Sequence, residues 1–185
     1  MNLLSHFPSL QLSVTYTTRT PRNGEKNGID YHFISKEEFQ KRIDKGDFLE
    51  WVFMHGNFYG CSRSDIETGI SEGKHLIMVI DTEGAKKVKE LLHPVMIFIA
   101  PPSMETLKER IVGRNSESEE SLQKRLTKAH QEMDCVGMFD YVVMNDDFST
   151  ALITLACIIV GEVHKHKQRL EQNREILYKS SLSSM

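Results

Sequence analysis

Two arginines three residues apart, Arg19 and Arg22, lie in the hydroxyl-rich segment Ser13-Val-Thr-Tyr-Thr-Thr-Arg-Thr-Pro-Arg22. Each guanidinium presents a planar fork of N–H donors that matches the oxygens of a phosphate. Pro21 stiffens the loop between them, and Tyr31 and Tyr59 add hydroxyl donors. Taken alone, the arginines fit solvated loop residues better, and the tyrosines fit packed rings with a wet tip. The formal charge of -3 provides no electrostatic case for a nucleic-acid partner, so any anion site has to be built locally.

Further on, Arg110 and Arg114 stand four apart and share one helical face, with Arg125 on the next helix. A charged helix face is most often only a solvated one. Phosphoryl transfer is the chemistry that uses such residues, because it needs positive charge around the transferring group more than covalent help.

The elements that position these residues follow from pattern. Met1 to Pro8 reads as the end of a helix and Leu10 to Thr17 as a strand. Arg19 to Gly28 is a polar Pro/Gly loop. Tyr31 to Ile34 is strand-like, Ser35 and Glu38 form a capping box, and Gly46 ends the helix. Phe48 to Met54 is a strand and Gly56 to Gly60 a turn or loop. The apolar runs Leu76–Ile80, Val95–Ala100 and Tyr141–Met144 predict parallel strands buried on both faces. Helices are expected over Glu83–Leu92, Met104–Gly113 and Glu119–Met133, with Ser103 and Ser118 as N-caps. A final helix from about Ser149 is apolar to Val160 and then charged, and 180–185 is expected to fray.

A chain of 185 residues, 39% hydrophobic and 26% charged, predicts one soluble domain. Three cysteines with no C-x-x-C pair argue against a disulfide framework or zinc site and suit a reducing cytoplasm. No basic segment leads a long apolar run, so no signal peptide is expected. Ala151 to Val160 is about half of the ~20 residues that cross a bilayer, so a buried core helix, and no membrane partner, is expected.

Several blocks in order carry a family resemblance: T-T-R-T-P-R at 17–22, D-Y-H-F at 30–33, F-L-E-W at 48–51, G-N-F-Y-G at 56–60, I-A-P-P-S at 99–103 and V-M-N-D-D at 143–147. Over roughly residues 1–160 the chain resembles guanylate kinase, of the P-loop nucleoside-monophosphate kinases. The resemblance implies an α/β fold: a three-layer parallel sheet of the P-loop kinase type, its first strand missing, with a small mixed α/β GMP-binding insertion. It implies one domain over 1–179, with the insertion at 30–62, a lid region at 104–128 and a disordered 180–185. It further implies that Arg19, Arg22, Tyr31 and Tyr59 bind the GMP phosphate. Glu50 accepts hydrogen bonds from guanine N–H groups, an edge adenine lacks, and Thr15 and Asp81 lie near the nucleotide. Arg110, Arg114 and Arg125 act with Arg19 on the transferring phosphoryl group, Arg110 and Arg114 also holding ATP, and Asn145 contacts its adenine. Asp146 and Asp147 read as caps of the last helix, and Trp51 as core.

Implied partners are GMP and ATP, with Mg²⁺ bound with the ATP and no protein metal site. No general base is needed, because the attacking phosphate oxygen is already anionic. Two positions depart from the family pattern. Cys61 stands where Ser or Thr is usual, and a thiol is a poor donor, so base recognition weakens or shifts to Ser62. Val79 stands where an acid is common.

No G-x-x-x-x-G-K-[ST] loop is present. Gly69-Ile-Ser-Glu-Gly-Lys-His75 has three residues between its glycines, not four, and precedes a strand, so it reads as a helix end and turn. The family places a central strand and this loop ahead of Met1, so the chain is expected to begin inside an element. A misplaced start or a clipped chain produces that pattern. Three readings follow: a cytoplasmic ATP-dependent GMP kinase impaired as written, a non-catalytic module binding GMP or a phosphopeptide, or a chain that does not fold stably alone.

Overall fold

The computed structural model describes residue 4, residues 7–113 and residues 119–182, with backbone only at 121 and 170–182. The helix expected near the N-terminus lies largely outside the described residues, as do Arg114 and the expected cap Ser118. The chain divides into two compact units, Met1–Pro94 and Val95–Met185.

The first unit runs β1 (Leu10–Leu12), β2 (Tyr16–Thr17), β3 (His32–Phe33), α1 (Lys36–Lys45), β4 (Phe48–Met54), β5 (Asn57–Ser62), α2 (Arg63–Ser71), β6 (His75–Ile77) and α3 (Thr82–Leu92). A four-stranded mixed sheet has the order β3-β2-β5-β4, and β1 pairs in parallel with β6. The β4–β5 hairpin closes through His55 and Gly56, both at positive φ. Phe39 of α1 stacks on Phe48 and Phe58, with ring centroids 4.4 and 5.2 Å away, and Trp51 packs edge-on against Phe58. These rings leave no room above the middle of β5. A Cβ on Gly60 would meet Phe39 and Phe48 at 3.0 Å, which is why glycine stands there. A second cluster of Leu49, Cys61, Ile66 and Val88 lies beneath α2 and α3.

Local chemistry sets the helix ends. Ser35 accepts from Glu38 N–H and Gly46 closes α1 at φ 72, as the capping pattern predicts. Helix α2 ends at Ser71, inside the stretch read as a helix end and turn, and Ser62 caps its start.

The second unit contains β7 (Ile97–Ala100), α4 (Met104–Val112), α5 (Glu119–Asp134), a 3₁₀ turn at Val136–Met138, β8 (Tyr141–Met144) and α6 (Phe148–Leu182). Strands β7 and β8 pair in parallel. Ser103 caps α4, accepting from Thr106 N–H, and Asp147 caps α6, accepting from Thr150 N–H at 2.8 Å.

The α/β class stands, but the parallel strands form two separate ladders, β1–β6 and β7–β8. Burial on both faces does not hold. Ile99, Val142 and Met144 are exposed, so the faces of this ladder are only partly covered. The run Leu76–Ile80 is strand only to Ile77, and Val79 beyond it is 72% exposed. The expected buried core helix is also corrected. Helix α6 continues to Leu182, into the stretch expected to fray, and buries Ala151 and Ala156 while Ile153 is 58% exposed. Its segment Phe148–Arg169 is long and apolar enough to cross a membrane by length and composition, which the ten-residue run alone did not suggest. The charged residues after Val160 continue the helix, as expected. Glu162 and Lys165 pair across one turn at 2.6 Å, and the Tyr141 hydroxyl donates to Glu162 from β8.

Candidate nucleotide site in the first unit

Strand β5 carries the site. Tyr59 and Cys61, two apart, point to the same side of the sheet, about 7 Å from each other. Thr17 of β2 pairs with Tyr59 on one side, and Glu50 of β4 pairs with Cys61 on the other. Two groups of functional side chains follow from that spacing, one at each end.

The Tyr59 end is cationic. Arg19 follows β2, where its N–H bonds the buried Thr17 hydroxyl. Its guanidinium lies 5.3 Å from the Tyr31 ring centroid and 5.7 Å from that of Phe33. The Tyr31 and Tyr59 rings meet edge to face at 6.2 Å. Arg19 donates to Glu25 at 2.9 Å and to the carbonyl of Thr20 at 2.8 Å. The Glu25 carboxylate also accepts the Arg22 backbone N–H at 2.7 Å. Glu25 holds the Arg19 pKa above its ordinary value, with a smaller push from Tyr59. Arg19 and the Arg22 amide in turn hold Glu25 below the usual carboxylate range. A carboxylate is thus bound where a phosphate is expected. Glu25 escaped the sequence reading, although an acid three residues after Arg22 in a Pro/Gly loop was the available signal. The Arg22 side chain itself is exposed.

The Cys61 end is buried and polar. Glu50 is 4% exposed, and its Oε2 has no hydrogen-bond partner. Burial pushes the Glu50 pKa up, against hydrogen bonds from Cys61 and the charge of Lys87. Thr15 Oγ1 lies 3.8 Å from Cys61 Sγ. Asp81 caps α3, its Oδ1 accepting the Gly84 N–H at 2.9 Å, and its charge also raises Glu50. Gly84 fits here for a physical reason: a Cβ on it would stand 2.8 Å from Glu50 Oε2. Sequence reasoning passed over Gly84, which shows no signal inside a helical pattern. Ser62 was a candidate for base contact. Its hydroxyl instead accepts the Asp65 N–H at 3.2 Å and lies 3.1 Å from Ser64 Oγ. Trp51, read as core, packs on Phe58, and Lys87 donates to its carbonyl at 2.6 Å.

Of the first-unit residues, the structure brings Arg19, Tyr31 and Tyr59 together at one end of β5. It brings Thr15, Glu50 and Asp81 together at the other. The first end suits a phosphate. The second offers carboxylate acceptors to a donor edge.

In the second unit, Arg110 of α4 donates to the backbone carbonyls of Asn145 at 2.6 Å and Asp146 at 3.1 Å. Two of the residues expected at the ATP are therefore linked, and the Asn145 N–H bonds Ala100 at 2.7 Å. Arg125 is half-buried on α5. Among the described residues no group of three or more His, Cys, Asp or Glu forms a metal site.

Comparison with known proteins finds the same family from three directions. The family model described as guanylate kinase matches residues 1–162. A guanylate kinase of Protochlamydia amoebophila is 42% identical over 168 residues, covering 91% of this chain and 85% of that protein. One of Clostridium perfringens is 44% identical over 177 residues, covering 94% of this chain and 82% of that protein. The crystal structure of guanylate kinase from Anaplasma phagocytophilum matches with a TM-score of 0.73 and 36% identity, over 86% of this chain and 77% of that one.

Proposed function

Because the chain belongs to the guanylate kinase family, a family of nucleoside-monophosphate kinases, we propose that its first unit binds GMP for phosphorylation to GDP by ATP. The observation that carries the reading is the buried, unpartnered Oε2 of Glu50. A buried carboxylate oxygen without a partner costs free energy. Guanine offers two adjacent donors, N1–H and the 2-amino group, which a carboxylate accepts together. Adenine presents an acceptor at N1 and meets repulsion there.

The phosphate goes to the Tyr59 end, displacing the Glu25 carboxylate from Arg19 and taking donors from Arg22, Tyr31 and Tyr59. Thr15 and Asp81 shape the base end. The attacking oxygen belongs to this phosphate and is anionic, so no side chain has to remove a proton. Arginines orient the phosphate and neutralise charge as it builds. Arg110, Arg114, Arg125 and Asn145 are assigned to the ATP side, and Mg²⁺ enters with ATP as part of the substrate. The protein is cytoplasmic and needs no nucleic acid or membrane partner in this reading.

The test is calorimetric titration with GMP and AMP, followed by ATP- and Mg²⁺-dependent turnover of GMP. Selective GMP binding with turnover is the expected kinase. Selective binding without turnover marks the impaired kinase or the non-catalytic module. The absence of GMP binding overturns the assignment.

A further inference from the structure

Gly84 and Lys87 stand three apart on α3, so they share the face that meets β4. Gly84 lies at Glu50, where a Cβ would stand 2.8 Å from Oε2. One turn on, Lys87 reaches Trp51, the residue after Glu50, and donates to its carbonyl at 2.6 Å. The ammonium also lies 5.4 Å from the Trp51 ring centroid. Strand β4 is an outer strand of the sheet β3-β2-β5-β4, so one side of its backbone has no ladder partner. Lys87 ties that open edge to α3. The carboxylate beside this tie has one oxygen, Oε2, that is buried and without a partner.

We propose that Lys87 is a positioning residue for nucleobase recognition: its ammonium, seated on the Trp51 carbonyl at the open edge of β4, pins α3 to that strand and supplies the positive charge that keeps the neighbouring Glu50 carboxylate ready for a guanine. The proposal rests on the GMP reading above and deepens it. Lys87 touches no nucleotide in this role and acts through Glu50 alone.

Burial opposes a charged Glu50, and the Asp81 charge at the cap of α3 adds to that opposition. The Lys87 charge, from the same helix, acts the other way. Cys61 faces Glu50 from β5, and burial keeps its thiol neutral, with a pKa pushed up to about 12. Guanine needs the ionised carboxylate, because a protonated one replaces an acceptor with a donor. Removing the lysine charge therefore moves the Glu50 titration to higher pH, and the acid limb of GMP binding with it. Lys87 is exposed, so salt screens the effect. A clamp that served packing alone would lower the melting temperature and leave the titration where it is.

The experiment follows the Glu50 carboxyl by carbon NMR of the ligand-free chain, its signal assigned by its loss in Glu50→Gln. It compares the native chain, Lys87→Met, which keeps the apolar stem, and Lys87→Arg, which keeps the charge, with a thermal melt of each. The GMP dissociation constant is then measured by calorimetry from pH 5 to 8. The GMP phosphate ionises at about pH 6 in every arm, so differences between variants cancel it. Lys87→Met is expected to raise the Glu50 midpoint by about half a pH unit, the worth of a screened surface charge, and to weaken GMP binding about threefold on the acid limb. Lys87→Arg is expected to keep the native midpoint, and added salt to shrink the difference between the two variants. An unmoved midpoint in Lys87→Met overturns the proposal, and so does a Lys87→Arg midpoint as high as that of Lys87→Met. Native-like GMP binding by Glu50→Gln defeats the guanine reading itself, whereas loss of binding in that variant with an unmoved midpoint in Lys87→Met defeats only this proposal.

Discussion

The base end of β5 and the β7–β8 ladder invert the usual distribution of polarity. At β5, Glu50, Cys61 and Thr15 are buried among strands and helices, and one carboxylate oxygen lacks any partner. At β7–β8, Ile99, Val142 and Met144 are exposed, while the Arg110 guanidinium is occupied by two backbone carbonyls. Burying polar groups at incomplete satisfaction costs stability and is sustained where a ligand completes the set. Leaving apolar side chains in water costs stability as well, but presents no directional chemistry. Ligand selectivity is therefore expected from the first unit, and the second holds its arginine by backbone geometry.

Glu50→Gln should separate the two most. Loss of a charged acceptor is worth about 1.5–3 kcal/mol, so GMP affinity should fall roughly ten- to a hundredfold. Stability should move the other way. The Glu50 pKa is raised on folding, so its contribution is present below the ordinary carboxylate value and lost as pH rises through the folded one. The amide does not titrate, and the variant should melt progressively higher than the native chain toward pH 8. Melting scans at pH 5 and pH 8 check this, and equal differences at both would speak against it.

Arg110→Ala should act only on the second unit. It strips donors from the Asn145 and Asp146 carbonyls. A loss of about 1–2 kcal/mol in denaturant unfolding is expected, with GMP affinity unchanged. A GMP effect as large as that of Glu50→Gln would erase the contrast between the units.

Glycine substitutions give the smallest and most diagnostic pair. Gly84→Ala places a Cβ 2.8 Å from Glu50 Oε2, and the carboxylate is the group able to move. GMP affinity should fall several-fold, by about 1 kcal/mol, with little change in melting. Gly161→Ala in α6 meets nothing within 4 Å, so it should stabilise by up to about 1 kcal/mol through helix propensity. GMP affinity should move in Gly84→Ala and not in Gly161→Ala, and melting should rise in Gly161→Ala alone.

What sequence made legible was local. The Ser35 N-cap, the Gly46 stop and the strands Phe48–Met54 and Tyr141–Met144 lie where pattern puts them, because each depends on neighbours within a few residues, although the Glu38 carboxylate pairs with Arg42 instead of closing the expected capping box. Arg19, Tyr31 and Glu50 were found through family blocks, and their grouping needed the ladder register. Misses came from tertiary context. The start of α2 at Arg63 was not among the expected helices, although its end and the turn after it fall where Gly69 to His75 reads as a helix end and turn. Ser62 resembled a base contact until its capping bond was seen. The apolar start of α6 is less buried than expected, with Ile153 58% exposed. Glu25 carries no sequence signal as strong as its contact with Arg19 in the folded loop.

The central claim is that Glu50, buried and half-satisfied, makes the first unit a guanine reader. Titrating the native chain with GMP and with AMP at pH 8 tests it most directly. The account predicts saturable GMP binding and AMP binding weaker by at least about tenfold, the cost of leaving the carboxylate without its donors. Equal affinity for the two nucleotides, or no GMP binding by a cooperatively folded chain, would contradict it.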